Sequence, residues 1–259
     1  MSEPRIQVAE QFYSLQGEGP SAGEPAIFLR LAGCNLSCGW DGELEDYEPG
    51  DEPMDEANWV CDSIDVWREA ANTYTPDELY LDWKEKGWLE HIRHKDAHVV
   101  LTGGEPTLPN HQKAFAEFGS ILRKGGYDPY LEVETNGTQE ITPPFAYHVD
   151  HYNVSLKLSN SGMDEDRRVI PDHVNQYVDM GDGVATFKFV IGDEEDLVEV
   201  EHIIDEFVIP QEQVSLMPAG QTREQLRETY PLVAEACKET GYRFTPRLQV
   251  SVWGQVTGV

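Results

Sequence analysis

The chain of 259 residues carries 48 acidic against 19 basic side chains, a formal net charge of −29, with 39% hydrophobic residues. That apolar share suffices for a sizeable core and excludes wholesale disorder, while the charge excludes a general binder of nucleic-acid backbone or of anionic membrane. With no run of about 18 apolar residues and an opening, MSEPRIQVAE, that lacks the basic and apolar regions of a secretory signal, the expected location is the cytoplasm.

Along the chain, apolar runs bounded by turn signals predict strands over residues 26–31, 97–101, 130–134, 152–156, 185–191, 214–217 and 243–245. Between them, helices are expected over residues 76–86, 110–124, 194–207 and 222–240. Asn110 and Thr222 are candidate N-caps, and Gly125 and Gly241 stand where C′ glycines belong. In the last helix Leu226, Tyr230, Val233 and Cys237 recur at three and four residues and define one apolar face. Strand–helix alternation argues for an α/β fold with a parallel sheet covered by helices, barrel or doubly wound. No repeat or Ser/Gly linker divides the chain, so one domain spanning 1–259 is expected.

Residues 41–60, DGELEDYEPGDEPMDEANWV, break the pattern with nine acids and no Lys or Arg. The segment reads as a solvated excursion with little regular structure. Acids are otherwise spread over the whole chain and lysines number only 8. In molar salt the Debye length is about 3 Å, so a surface this negative no longer repels itself. The reading is a salt-adapted protein, with a dedicated acidic binding surface as the alternative.

Four cysteines are present: Cys34, Cys38, Cys61 and Cys237. In a reducing cytosol, metal ligation or burial are the options rather than structural disulfides. Cys34 and Cys38 lie in GCNLSCGW, just past the apolar run AIFLRLAG, on a loop leaving a strand. The second signal is TGGEP, Thr102 to Pro106, directly after AHVVL. Paired glycines at a strand end let backbone approach a ligand, and Glu105 adds a carboxylate. Read alone, it is an ordinary glycine turn. His91, His94 and His98, in HIRHKDAH, read as mostly solvated.

Together the CxxxC loop and the following GGEP resemble the radical S-adenosylmethionine enzymes. FYSLQGEGPSAGEPAIFLRLAGCNLSC, CDS, TGGEPTL, VETNGT, VSLKLSNSG, FKFVI, LMPAG and the terminal WGQVTGV narrow this to the 7-carboxy-7-deazaguanine synthase family, from about Gln11 to Val259. The resemblance implies a partial (β/α)6-type barrel with mostly parallel strands and helices outside. It implies a [4Fe–4S] cluster on three thiolates, with one iron open to the amino and carboxylate groups of S-adenosylmethionine. One-electron cleavage then yields a 5′-deoxyadenosyl radical that takes hydrogen from C6 of 6-carboxy-tetrahydropterin, and the ring contracts with loss of ammonia.

The family's usual spacing is CxxxCxxC, but here the third residue after Cys38 is Asp41. Cys61-Asp62-Ser63 reproduces the Cys-Asp-Thr/Ser that closes the motif, so Cys61 is expected as third ligand, with residues 41–60 inserted before it. Asp41 as an oxygen ligand is the rival, disfavoured because these irons prefer thiolate. Cys237 is expected to pack. Ser63 matches the family's Mg²⁺ ligand, with a simple helix cap as alternative. Leu15, Gln16, Gly17 and Glu18 match the pterin-contacting segment, and Thr102 a further contact. Arg30 matches the arginine that pairs with the substrate carboxylate, the alternative being a surface salt bridge. For S-adenosylmethionine the matching positions are Gly104, Glu105, Ser155, Leu156, Lys157, Met217 and Pro218. The resemblance gives the main chain of Val259 as a terminal carboxylate on the pterin. A homodimer and a separate electron donor are also expected. Two other classes compete: an activase that installs a glycyl radical on a partner protein, and a zinc- or cluster-stabilised interaction module.

Overall fold

The computed structural model describes residues 3–181, 183–254, 256 and 258. In chain order its elements are β1 (Ile6–Leu15), β2 (Pro25–Leu31), α1 (Ile64–Trp67), β3 (Asn72–Tyr74), α2 (Pro76–Glu85), α3 (Trp88–Lys95), β4 (His98–Gly103), α4 (Pro109–Lys124), β5 (Leu131–Thr135), α5 (Pro143–Ala146), β6 (His151–Val154), α6 (Glu165–Arg168), α7 (Pro171–Met180), β7 (Ala185–Ile191), α8 (Glu194–Phe207), β8 (Val214–Pro218), α9 (Arg223–Thr240), β9 (Arg243–Phe244) and α10 (Leu248–Trp253). The strands form one nine-stranded sheet ordered β3-β1-β2-β4-β5-β6-β7-β8-β9. From β2 to β9 all neighbours are parallel, and β1 runs antiparallel to β2 and β3. Among the described residues the two ends of this order do not pair, so the sheet is an open α/β barrel with mostly parallel strands.

The outward strand positions are apolar. Ile27, Leu29, Leu31, Val99, Leu101, Val133, Val154, Phe187, Phe189 and Leu216 pack against Trp83, Phe115, Phe118, Val200 and Val233 of the helices. Each such burial contributes about 1.5–3 kcal/mol. The inward positions are different. Parallel strands covered on both faces normally read as continuous apolar runs, yet Thr102, Glu132, Asn153, Thr186, Lys188 and Ser215 are buried polar residues on the inner face. A polar lining of this kind makes the inner face a place for a polar ligand.

Several local expectations change. β1 has no strict alternation and is half-buried over most of its length, so its pattern is weak in sequence. α3 buries only Leu89 and Ile92, and α7 only Val174 and Tyr177, too few to show as an apolar stripe. Helix α4 starts at Pro109 after Leu108, not at an Asn110 cap, because proline's fixed φ suits the first helical position. Gly125 stays helical, and Gly126, at φ +79°, takes the left-handed position one residue later. Thr222 does cap α9, in a box with Gln225, and Gly241 closes it at φ +79°. The strand expected over 152–156 is His151–Val154, one residue earlier and shorter. No helix among the described residues is long and apolar enough to cross a membrane.

Candidate active site

The loops at the C-terminal ends of the parallel strands carry the motifs. In the turn after β4, Gly104 N–H donates to Leu31 O at 3.0 Å and Glu105 N–H to Gly33 O at 2.8 Å. A Cβ on Gly104 would lie 1.9 Å from Gly33 O, so only glycine lets this turn lie flat against the loop that leads into Cys34. The two motifs are therefore one surface.

Cys34, Cys38 and Cys61 share one packed patch with Leu36, Met54, Trp59 and Met163. Cys61 N–H donates to Cys38 O at 3.0 Å. In a C-x-x-C sequence that bond would be the i to i+3 bond of a β-turn. Here the same bond spans the long Cys38–Cys61 stretch, so the two ends of residues 39–60 meet as the ends of such a turn would. Gly39 lies against the Trp59–Val60 backbone, where any Cβ would meet Trp59 O at 1.9 Å. Asp41 is exposed.

The insertion has little regular structure, only a 3-10 turn over Leu44–Asp46, yet it is tied down. Tyr47, Val60, Ile64 and Trp67 form a small core against Trp40, Leu44, Cys34 and Cys61. Arg68 donates to the carbonyls of Leu44 and Tyr47 at 3.0 and 2.9 Å, and Trp59 Nε1 to Asn160 Oδ1 at 2.9 Å. Its acids are exposed apart from half-buried Asp51.

The donor set fits an iron–sulfur cluster. Burial, with Glu105 and the other thiols nearby, pushes Cys34 up to about 12; burial likewise pushes Cys38 up to about 11, against the pull of Lys157. Both thiols are therefore protonated in the cluster-free protein and release protons on loading. Among the described residues no three His, Cys, Asp or Glu side chains converge on a single ion. A cluster asks for no such point, since its thiolates sit on separate irons. Leu36 N–H points at Cys34 Sγ at 3.5 Å, and Asn136 Nδ2 lies 3.9 Å from it. Asn136 Oδ1 accepts Thr138 N–H at 3.0 Å, which fixes the amide with its NH2 toward the thiol.

Glu105 follows the paired glycines after β4. Its carboxylate is fully buried and accepts from Thr107 N–H and Asn136 N–H at 2.8 and 2.7 Å and from the Thr107 and Thr135 hydroxyls. Burial pushes its pKa up and these bonds pull it back. Three of these bonds fall on Oε1 and one on Oε2, so the side chain joins the ends of β4 and β5 while Oε2 keeps a free lone pair. The Leu156 side chain belongs to the outer core, which leaves its backbone for the site. Lys157 Nζ reaches Ser155 Oγ at 3.2 Å and lies 6.0 Å from the Trp59 ring centroid. Met217 and Pro218 end β8, both buried.

Across the inner face the segment after β1 meets the sheet. Leu15 is the last residue of β1. Gln16 Nε2 donates to Glu134 Oε1 at 3.2 Å, and Thr102 Oγ1 to Glu134 Oε2 at 2.8 Å. Glu134 thus joins two expected substrate residues, a role its place in a short alternating strand did not mark. Gly17 O accepts Leu248 N–H at 2.9 Å, and Gly19 N–H donates to Thr245 Oγ1 at 2.6 Å, so the chain's last segment clamps this loop. Glu18 pairs with Lys188 and, at 3.2 Å, with Arg247. Burial raises Glu18, but Lys188 and Arg247 outweigh it and hold the carboxyl at about 2. Lys188, Arg247 and Gln249, which donates to Glu18 at 2.7 Å, also escaped the sequence reading; only Lys188, a charge in an apolar strand run, carried a signal.

Arg30 sits opposite Thr102 in the β2–β4 register, and its Nε bonds Glu10 at 2.7 Å; among the described residues its terminal nitrogens make no hydrogen bond. Ser63 stands at the N-cap of α1 but makes no cap bond; its hydroxyl is 3.6 Å from Cys61 Sγ. Unpartnered buried atoms include Asn153 Oδ1 and Ser215 Oγ on the inner face, as a lining that awaits a polar ligand would have. His98 departs from its solvated reading and bonds buried Glu132 at 2.7 Å, while Cys237 packs in the core as expected. Val259 lies outside the described residues; Gly258, where a Cβ would stand 3.8 Å from Glu10 Oε2, brings the tail back toward Arg30's partner.

An open α/β barrel with three thiols beside a glycine turn is the arrangement of a radical S-adenosylmethionine enzyme. No family model matches the chain. Among curated proteins it is similar to the 7-carboxy-7-deazaguanine synthase of Pyrobaculum aerophilum, 33% identical over 98% of each chain. It is likewise similar to the synthase of Halobacterium salinarum, 33% identical over 96% of this chain and 91% of the relative. The crystal structure of QueE from Escherichia coli shares the fold, with a TM-score of 0.60 at 23% identity over 93% of both chains. The chain belongs to the 7-carboxy-7-deazaguanine synthase family.

Proposed function

We propose that the protein converts 6-carboxy-5,6,7,8-tetrahydropterin to 7-carboxy-7-deazaguanine with release of ammonia, in 7-deazapurine (queuosine or archaeosine) biosynthesis. The observation that supports this reading is the bond from Cys61 N–H to Cys38 O, which brings Cys61 beside Cys38 as a three-thiol site requires. Cys34, Cys38 and Cys61 hold the [4Fe–4S] cluster, which when loaded supplies the electron that opens the sulfonium of S-adenosylmethionine. The backbone around Gly104 and Glu105, with Ser155, Leu156, Lys157, Met217 and Pro218, binds that cosubstrate. Arg30 pairs its terminal guanidinium nitrogens with the pterin carboxylate. Leu15, Gln16, Gly17, Glu18, Thr102 and Val259 orient the ring. Ser63, whose hydroxyl makes no cap bond, is assigned to Mg²⁺.

The chain is read as one domain with an insertion at 41–60, working in the cytoplasm of a salt-rich cell as a homodimer with a separate electron donor. Its net charge of −29 argues against nucleic acid and anionic membrane as partners. The test is anaerobic reconstitution with iron and sulfide, then incubation with reductant, S-adenosylmethionine and the pterin. A brown protein and a product lighter than the substrate by one ammonia are expected. Cosubstrate cleavage without that product would overturn the reading.

A further inference from the structure

Arg247 has every guanidinium nitrogen engaged, each by a different segment. Nε donates to Glu18 Oε1 at 3.2 Å, one terminal nitrogen to Gly220 O at 2.8 Å, and the other to Asp62 Oδ2 at 2.7 Å. The side chain is only 15% exposed. It stands at the N-cap of α10, whose next residue, Leu248, donates to Gly17 O at 2.9 Å. Gln221, beside Gly220, donates to Val60 O at 3.2 Å, so the loop after β8 also grips the insertion's end. One planar fork thus links the segment after β1, the Cys61–Ser63 turn and the loop after β8. Lysine, a point charge on a flexible stem, cannot satisfy these directions together.

We propose that Arg247 is a positioning residue that couples the pterin contact at Glu18 to the cluster-closing turn through Asp62. It touches no reacting atom; it makes occupancy at Glu18 felt at Cys61, and by reciprocity the state of the cluster turn felt in pterin affinity. The inference rests on the reading of Glu18 and Cys61 given above.

The experiment compares wild type, Arg247→Gln, Arg247→Lys and Asp62→Asn as reconstituted proteins. Three quantities are read: iron per chain, affinity for 6-carboxy-5,6,7,8-tetrahydropterin, and the electron paramagnetic resonance spectrum of the reduced cluster with and without it. Arg247→Gln should keep its iron, lose at least about tenfold in pterin affinity, as loss of a charged hydrogen bond implies, and lose the pterin-induced spectral change. Arg247→Lys should not restore that change. Asp62→Asn keeps an acceptor but removes the charge of the link on the cluster side alone, so it should weaken the spectral response while affinity stays within about threefold. It is also the safer variant should Arg247→Gln fail to fold. A pterin response in Asp62→Asn or Arg247→Gln equal to that of wild type would overturn the coupling. Failure of wild type itself to bind the pterin would instead count against the proposed substrate.

Discussion

Replacing Lys188 by Met tests the electrostatics of the inner face. Lys188 and Glu18 are a buried pair, their side chains 6% and 12% exposed. Burial disfavours the Glu18 carboxylate, and Lys188 and Arg247 more than offset it, lowering its pKa from 4.5 to about 2. At about 1.4 kcal/mol per pKa unit this environment contributes roughly 3 kcal/mol. Because the folded value is depressed, the contribution is complete above pH 4.5 and is lost as pH falls through about 2. Removing Lys188 leaves Arg247 alone against the desolvation, so Lys188→Met should cost about 3–5 kcal/mol near neutral pH. The deficit should shrink as acid protonates Glu18 in the variant first. Urea unfolding in concentrated KCl, followed by tryptophan fluorescence at about pH 7.5 and again near pH 3.5, measures both. A deficit that is the same at both pH values would refute the ion-pair argument and point to lost packing.

The other predictions concern the site more directly. Cys34→Ala, Cys38→Ala and Cys61→Ala should each abolish cluster loading, while Cys237→Ala should load normally and lose only about 1–2 kcal/mol of stability; iron content and unfolding curves check this, and loading in Cys61→Ala but not in Asp41→Ala would contradict it. Glu105→Gln puts an NH2 where backbone N–H groups donate, so it should cost about 1–3 kcal/mol in a thermal melt. An unchanged melt with lost binding of S-adenosylmethionine would mean that the carboxylate reaches the ligand after all. Arg30→Lys should weaken pterin binding by about 1.5–3 kcal/mol and spare uncoupled cleavage of S-adenosylmethionine, and equal loss of both reactions would argue for a structural role. Stability should fall as KCl drops from multimolar to millimolar, and full structure and activity at low salt would sink the salt-adapted reading.

What was legible in the sequence follows from where the physical signal lies. Buried parallel strands such as Ala185–Ile191 are continuous in hydropathy and stand out, as does α9 with its Thr222 box and Gly241 stop. β1, half-buried and partnered on both sides by antiparallel strands, has no such run, and it leads into the LQGEG segment whose ligand role only the family resemblance suggested. Cys61 could be paired with Cys38 through the residues that follow it, although spacing alone argued against it. Glu134, Lys188, Arg247 and Gln249 were hidden because their partners are far away in the chain: Arg247 meets Glu18 and Asp62 only once β8, β9 and α10 have closed over the strand ends. Glu105 is the opposite case, with a plain motif and hidden partners. A carboxylate beside paired glycines suggests a ligand contact, and nothing local reveals that Thr107, Thr135 and Asn136 occupy it.

The most direct test of the account uses pterin substrate deuterated at C6, turned over anaerobically by the reconstituted protein. The recovered 5′-deoxyadenosine should carry deuterium, and the product should be 7-carboxy-7-deazaguanine. Formation of that product with no deuterium in the 5′-deoxyadenosine, or deuterium transfer only when a partner polypeptide replaces the pterin, would contradict it.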